Sequence, residues 1–241
     1  MEKERQNAIR NAFEKIGIAL SERQVWQFER YYEILIQKNE VMNLTAITEF
    51  EEVVQKHFLD SLMIRRLMEP KAGERWLDLG TGAGFPGIPL KIVYPELKLV
   101  LLDSLNKRVK FLQEVIEELE LKEITAVHGR AEELARKTEY REQFDCCVSR
   151  AVANLASLSE YCLPFVRAGG CFVPYKSEKI QEEVRGAEKA VRILGGKIER
   201  QEEFMLPESD IYRCLLCIRK ERQTPGKYPR KAGTPTKEPI R

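Results

Sequence analysis

The sequence predicts an α/β fold: a mainly parallel, seven-stranded sheet preceded by a helical extension. Three observations carry this. From Arg75 onward, short apolar runs alternate with amphipathic segments, the pattern of parallel strands joined by crossover helices. The first such connection, DLGTGAGFPG at 78–87, is glycine-rich, as expected where a strand tip meets a ligand. The first seventy residues carry helical periodicity without strand signals.

The elements follow in order. Residues 4–16 are amphipathic and stop at Gly17. Ser21 and Gln24 have capping-box spacing and open a helix to about Lys38. Thr48 and Glu51 repeat that spacing and predict a helix to about Met68, stopped by Pro70. Strands are predicted at 75–79, 98–103, 124–128, 144–149, 169–175, 198–204 and 211–219. Helices are predicted at 86–94, 105–120, 131–138, 154–163 and 177–194. No helix separates the last two strands, so they should form an antiparallel hairpin at a sheet edge.

The 241 residues suit one domain with appendages, divided as a helical extension over 1–70, a core over 71–221 and a basic Pro/Gly-rich tail over 222–241. No run of 18 apolar residues exists, so no membrane-spanning helix is expected. The N-terminus, MEKERQNAIR, has neither the apolar stretch of a secretion signal nor the acid-poor character of a transit peptide, and a cytoplasmic location is expected. Nothing demands an oligomer, and a monomer is expected. Cys214 and Cys217 have C-x-x-C spacing, but on a strand they face opposite sides, and no second pair completes a zinc site. No metal is expected, and all six cysteines read as buried and reduced.

Net charge is +2, yet the tail over 222–241 holds six basic residues against one acid. That asymmetry suits an anionic polymer, nucleic acid first, or equally a disordered solubilising segment. The helix from Leu105 starts with Lys107, Arg108 and Lys110 and ends with Glu114, Glu117, Glu118 and Glu120, opposing its own macrodipole. Lys110 and Glu114 are spaced to compensate in part.

The glycine loop reads two ways. Gly80-Thr-Gly82-Ala-Gly84 after Asp78 suits a methyl-donor site, and Gly82-Ala-Gly84-Phe-Pro-Gly87 matches a dinucleotide fingerprint. Pro86 favours the first, because it removes an N–H where a pyrophosphate would need one. Asp78, at the strand tip, can organise the loop or approach a cationic ligand. Asp103 ends the second strand, where a carboxylate accepts ribose hydroxyls, and Ser104 is the better helix cap beside it. Ala131 and Glu132 either frame a base or form an ordinary acidic first turn. Arg150, at the fourth strand's tip, either grips phosphate or a base edge or ends in a salt bridge.

Together these residues resemble the bacterial glucose-inhibited division protein B family, the small-subunit ribosomal RNA guanine-N7 methyltransferases. The resemblance rests on NLT at 43–45, HFLDSL at 57–62, DLGTGAGFPGIPL at 78–90, HGRAEE at 128–133, SRAV at 149–152 and YPRKAGTP at 228–235. It implies a class I methyltransferase (Rossmann-like) fold and S-adenosylmethionine as cofactor. It also implies a guanine N7 of small-subunit ribosomal RNA as target, presented as RNA or subunit. Cofactor contacts are then expected at Gly80, Gly82, Phe85, the strand end Asp103, Ser104 and Leu105, Ala131, Glu132 and Arg150. Lys107, Lys176, Arg230 and Lys231 become candidates for RNA contact, alongside Arg222, Lys227 and Lys237, with Tyr228 available to stack on a base.

The sequence lacks other methylation devices. The fourth strand ends in SRAV, not the N/D-P-P-Y/F used on exocyclic amines, and neither Cys146 nor Cys147 follows a proline. Guanine N7 needs no deprotonation, so no proton-transfer residue is expected. His57 and His128 read as structural or RNA-facing.

Overall fold

The protein is described by a computed structural model covering residues 2–151, 153–177 and 180–240. The sheet comprises β1 (Arg75–Leu79), β2 (Lys98–Asp103), β3 (Ile124–His128), β4 (Phe144–Ser149), β5 (Val166–Lys176), β6 (Gly196–Met205) and β7 (Tyr212–Lys220). Their order is β3-β2-β1-β4-β5-β7-β6. β1 to β5 pair in parallel, while β7 runs antiparallel between β5 and β6. The expected terminal hairpin is therefore present. Strand order reverses between β1 and β4, which opens a crevice at their carboxyl ends, the usual ligand position in such sheets.

Strand alternation divides the core in two. Trp76, Leu99, Leu101, Cys146 and Val148 face one layer, and Leu77, Val100, Leu102 and Cys147 face the other. Cys214 and Cys217 also fall on opposite sides, and all six cysteines are free and buried.

The N-terminal helices pack on the first layer. They are α1 (Glu2–Glu14), α2 (Glu22–Met42), α3 (Phe50–Val53) and α4 (Asp60–Leu62). Ser21 and Gln24 form the expected capping box at the start of α2. An aromatic chain runs from this layer toward the glycine loop: Phe13 to Phe28 at 4.6 Å between centroids, Phe28 to Phe58 at 5.0 Å, Phe58 to Tyr31 at 5.5 Å and Tyr31 to Phe85 at 5.4 Å. Such tilted and stacked pairs add about 0.5–1.5 kcal/mol each beyond the area they bury.

The predicted helix over 48–68 is corrected. Glu49, not Thr48, occupies the cap position of α3 and makes no side-chain cap bond. The backbone then passes through a π-helical turn (Val54–Leu59) and, after α4, a 3-10 turn (Met63–Arg66). π turns often mark functional positions, and here His57 and Asp60 are both buried beside the crevice.

Helices α5 (Gly87–Val93) and α6 (Asn106–Glu118) share this layer. The reversed charge order of α6 has a tertiary cause. Lys38 meets Glu114 at 2.8 Å, Arg30 meets Glu118 at 2.8 Å and Arg23 meets Glu120 at 2.7 Å. The acids at the end of α6 thus serve the basic face of α2, and Glu114 turns to Lys38 instead of the expected Lys110.

The second layer holds α7 (Ala131–Leu134), α8 (Leu155–Cys162), α9 (Gln181–Ile193) and α10 (Thr234–Lys237). Helix α7 is shorter than the 131–138 expected, and of the 177–194 prediction residues 178–179 lie outside the described residues. The C-terminal tail is folded onto this layer. Buried Lys220 donates to the Leu163 and Val166 carbonyls at 2.7 and 3.1 Å and to Thr224 Oγ1 at 2.7 Å, and burial lowers its pKa to about 8. Arg141 holds the Thr224 and Tyr228 carbonyls at 2.8 and 3.0 Å. Among the described residues no helix is long and apolar enough to cross a membrane.

Candidate active site

The tip of β1 is organised by Asp78, which is fully buried. Its Oδ2 accepts from Thr81 Oγ1 at 2.6 Å and from the Gly87 N–H at 2.8 Å. Gly87 must lack a side chain, since a Cβ there would lie 2.3 Å from Leu101 and 2.8 Å from Asp78. Burial pushes the Asp78 carboxyl up to about 7 against these hydrogen bonds, and its Oδ1 has no partner among the described residues. Asp78 thus shapes the loop from inside and lines neither cavity described below. Tyr31 of α2 donates to the Ala83 carbonyl, fixing the loop from the helical layer.

Two cavities open on the crevice. The first, of about 230 Å³, lies over β1, β2 and β3 and is lined by Gly80, Ser104, Ala131, Glu132 and Tyr161 among others. The second, of about 390 Å³, lies over β4 and β5 and is lined by Arg150, Asn154, Tyr175, Lys176 and Glu183 among others. Ala151 and Ala153 line both, so these two residues after β4 belong to their shared wall.

Arg150 stands at that junction. Its Nη2 donates to His57 Nδ1 at 3.1 Å, its Nη1 lies 3.4 Å from Asp60 Oδ2, and its guanidinium sits 5.4 Å from the Phe85 ring centroid. Nη1 is buried and makes no hydrogen bond among the described residues. His57 stacks on Phe85 at 4.4 Å. Because Nδ1 accepts from Arg150, Nε2 carries the proton and donates to Thr45 Oγ1 at 2.8 Å. Burial, and next the Arg150 charge, lower the His57 pKa to about 3, so this imidazole is neutral. Asp60 Oδ1 is held by Arg213 at 2.9 Å.

Lys176 is engaged rather than free. Its Nζ donates to the Ala153 carbonyl and to Glu183 Oε1, each at 2.7 Å, bracing the shared wall. Glu183 Oε1 also accepts from Leu155 N–H at the start of α8.

The expected cofactor residues are only partly brought together. Gly80, Ser104, Ala131 and Glu132 line the first cavity and Arg150 the second. Phe85 lies beneath Arg150 and His57. Asp103 is buried and engaged by the Gly82 N–H at 3.0 Å, the Leu105 N–H at 2.8 Å and Arg108 at 3.5 Å. It, and not Ser104, caps the turn into α6, while Gly82 and Leu105 meet its carboxylate without lining either cavity.

The expectations for the tail are corrected. Tyr228 is 8% exposed and belongs to the second core, so its ring is not offered to a base. Arg230 clasps buried Glu160 through Nη2 at 2.7 Å and Nε at 3.0 Å, instead of standing free for a phosphate. Arg222 donates to the Arg192 carbonyl at 2.7 Å. Lys107, Lys227, Lys231 and Lys237 remain exposed. Of the histidines, His57 is structural and His128 is an exposed neighbour of the Ser104 carbonyl at 3.1 Å.

Sequence reasoning assigned no role to Thr45, Asp60, Tyr161 or Arg213. Thr45 and Asp60 stand within NLT and HFLDSL, where polar residues interrupt an otherwise apolar face, and that interruption was the available signal.

A sheet of this order with one reversed strand, a glycine loop at the tip of β1 and ligand-sized cavities at the β1/β4 crevice define a class I methyltransferase. Solved structures share the fold. A Bacillus halodurans putative methyltransferase matches at TM-score 0.52 and 15% identity over 68% of this chain and 99% of its own. M. jannaschii TYW2 in complex with AdoMet matches at 0.52 and 15% over 67% of this chain and 76% of its own. The chain belongs to the GidB family, rRNA small subunit methyltransferase G, whose model matches residues 24–212. Relatives named ribosomal RNA small subunit methyltransferase G include one from Lachnoclostridium phytofermentans, 58% identical over 93% of both chains. Another, from Alkaliphilus metalliredigens, is 52% identical over 97% of this chain and 98% of its own.

Proposed function

We propose that this chain transfers a methyl group from S-adenosylmethionine to N7 of a guanine in small-subunit ribosomal RNA, without a general base. The observation that carries the reading is the pair of cavities meeting at Ala151 and Ala153 with Arg150 beside them.

The first cavity fits an adenosyl group. Leu79, Leu102 and Leu158 offer apolar walls, and Ser104, Glu132 and Tyr161 offer hydrogen-bonding groups. Gly80 keeps its mouth clear: with φ +71°, a Cβ there would come 3.3 Å from Ala151 Cβ. These residues would hold the nucleoside, and the backbone of the glycine loop would hold the remainder. When bound, S-adenosylmethionine supplies an electrophilic sulfonium methyl, which the guanine N7 lone pair attacks in line.

The second cavity would take the target base. Arg150, held by His57 and Asp60, lines this cavity and would present its guanidinium to a base edge or phosphate. Tyr175 is fixed by donating to the Ser61 carbonyl at 2.8 Å. Neutral His57 has both ring nitrogens engaged, and Glu183 Oε1 is taken by Lys176 and the Leu155 N–H, which supports a reaction without proton transfer. Positioning of two bound reactants supplies on the order of 7–11 kcal/mol. The exposed lysines 107, 227, 231 and 237 would meet RNA phosphates and make its affinity fall with salt.

The test is transfer from methyl-labelled S-adenosylmethionine to small subunits lacking the modification, followed by nucleoside analysis. Label in N7-methylguanosine is expected. Label in another nucleoside refutes the N7 assignment, and no label refutes the substrate.

A further inference from the structure

The far wall of the first cavity is not self-supporting. Glu132 and Tyr161, two of its polar lining residues, are both hydrogen-bonded to the C-terminal tail. The Gly233 N–H donates to Glu132 Oε1 at 2.9 Å, and Tyr161 Oη shares a 2.8 Å bond with Thr236 Oγ1. The tail segment bearing these groups is pinned to α8 on both sides. Upstream, Arg230 grips Glu160 through its backbone N–H at 2.7 Å and its guanidinium, and Arg230 Nη2 also holds the Glu238 carbonyl at 2.7 Å. Between, Ser157 Oγ donates to the Pro235 carbonyl at 2.7 Å, with Pro235 buried.

We propose that residues 230–237 form a strap that sets the nucleoside-facing wall of the cofactor cavity, with Arg230 and Thr236 as positioning residues acting through Glu132 and Tyr161. This rests on reading the first cavity as the S-adenosylmethionine site.

Three features carry it. Glu160 is fully buried, and a buried carboxylate is retained at a cost unless its partner is in place, so the Arg230 clasp is an enforced geometry. The bidentate guanidinium fixes direction as well as distance, which a lysine would not. Gly233, at φ +80°, turns the chain so that its N–H reaches Glu132, and places the start of α10 against α8. Without the strap Glu132 and Tyr161 each lose a partner and sample other rotamers. Ligand binding then has to order them, which weakens affinity without touching the reacting atoms.

Linkage gives a test on the unmodified protein. If the strap orders the wall for the cofactor, the cofactor must order the strap to the same degree. Hydrogen exchange of the amides of residues 230–234, 236 and 237 is measured on the full chain with and without saturating S-adenosylmethionine. Slowing of about tenfold is expected there. Unchanged exchange in the strap, beside protection of the 80–87 loop, would overturn the proposal while leaving the cofactor site intact. No protection anywhere and no binding would overturn both.

The variants Arg230→Met and Thr236→Val supply the second measurement. Their KM and equilibrium Kd for S-adenosylmethionine should rise together by about tenfold in the double variant, with kcat at saturation within twofold of wild type. Arg230→Lys should recover only part of the loss. Unchanged affinity in a folded double variant, or a fall confined to kcat, would overturn the positioning role.

Discussion

The N-terminal helices and the C-terminal tail both reach the carboxyl edge of the sheet, and they hold it by different interactions. The helical layer works through packing and buried charge. An aromatic chain from Phe13 to Phe85 supports the glycine loop, and Asp60 and His57 on the distorted 54–62 segment fix Arg150. The tail works through backbone hydrogen bonds and one arginine clasp, and its groups meet the opposite cavity. Buried aromatic packing resists displacement, whereas a strap of hydrogen bonds can loosen without unfolding the sheet. The helical end therefore braces the β4–β5 side of the crevice by packing, and the tail end braces the β1–β3 side by bonds that can loosen.

The largest expected effect separates the two buried carboxylates. Asp60→Asn leaves two half-buried arginines, 150 and 213, facing each other without their shared charge. It should cost about 3–5 kcal/mol in urea unfolding. Glu160→Gln leaves only Arg230, which is nearer solvent, and should cost about 1–3 kcal/mol. Equal losses, or the reverse order, would break the distinction between a rigid and an adjustable end.

A pH experiment sharpens it. The folded pKa of His57 is lowered to about 3 from an unfolded value near 6.5. A base depressed by folding contributes stability that is whole above the unfolded pKa and is lost as pH falls toward the folded one. Between pH 7 and 5 the loss should approach about 2 kcal/mol. Asp78 acts oppositely: its raised pKa makes stability fall as pH rises from about 4 to 7. Wild type is therefore compared with His57→Gln at both pH values, so that Asp78 cancels. A stability gap between the two proteins that is the same at pH 5 and pH 7 would mean that His57 is not held neutral.

The smallest effect concerns the outer seam. Lys38→Ala should cost only about 0.2–1 kcal/mol, less at high salt, because the Lys38–Glu114 pair is partly exposed. A larger, salt-independent loss would show that α2 is held by charge more than by its aromatic face.

How much of this was legible in the sequence depends on the range of the interactions. The strands and the terminal hairpin follow from local alternation, and the capping box at Ser21 follows from spacing. The acidic end of α6 looked misplaced because its partners, Arg23, Arg30 and Lys38, lie 76 to 97 residues away. The 48–68 segment carries ordinary helical periodicity, which says nothing of the π turn beside which His57 and Asp60 meet Arg150. The tail's composition resembled that of a solvated chain. Its order comes from Lys220, Arg141 and Glu160, buried or half-buried groups whose tail partners are the Thr224 hydroxyl, backbone carbonyls and Arg230. Asp103 stood where expected, but its loop contacts depend on how Gly82 and Leu105 fold around it.

The central claim is that two ligands meet across the Ala151–Ala153 wall, the methyl donor on the β1–β3 side and the base on the β4–β5 side. Equilibrium binding of labelled S-adenosylmethionine to Ala131→Trp and Ser177→Trp tests it most directly, since each substitution fills one cavity. The account predicts that Ala131→Trp loses cofactor binding by a hundredfold or more, while Ser177→Trp binds as wild type yet fails to methylate small subunits. Cofactor binding that survives Ala131→Trp and is lost in Ser177→Trp would contradict the assignment of the two cavities.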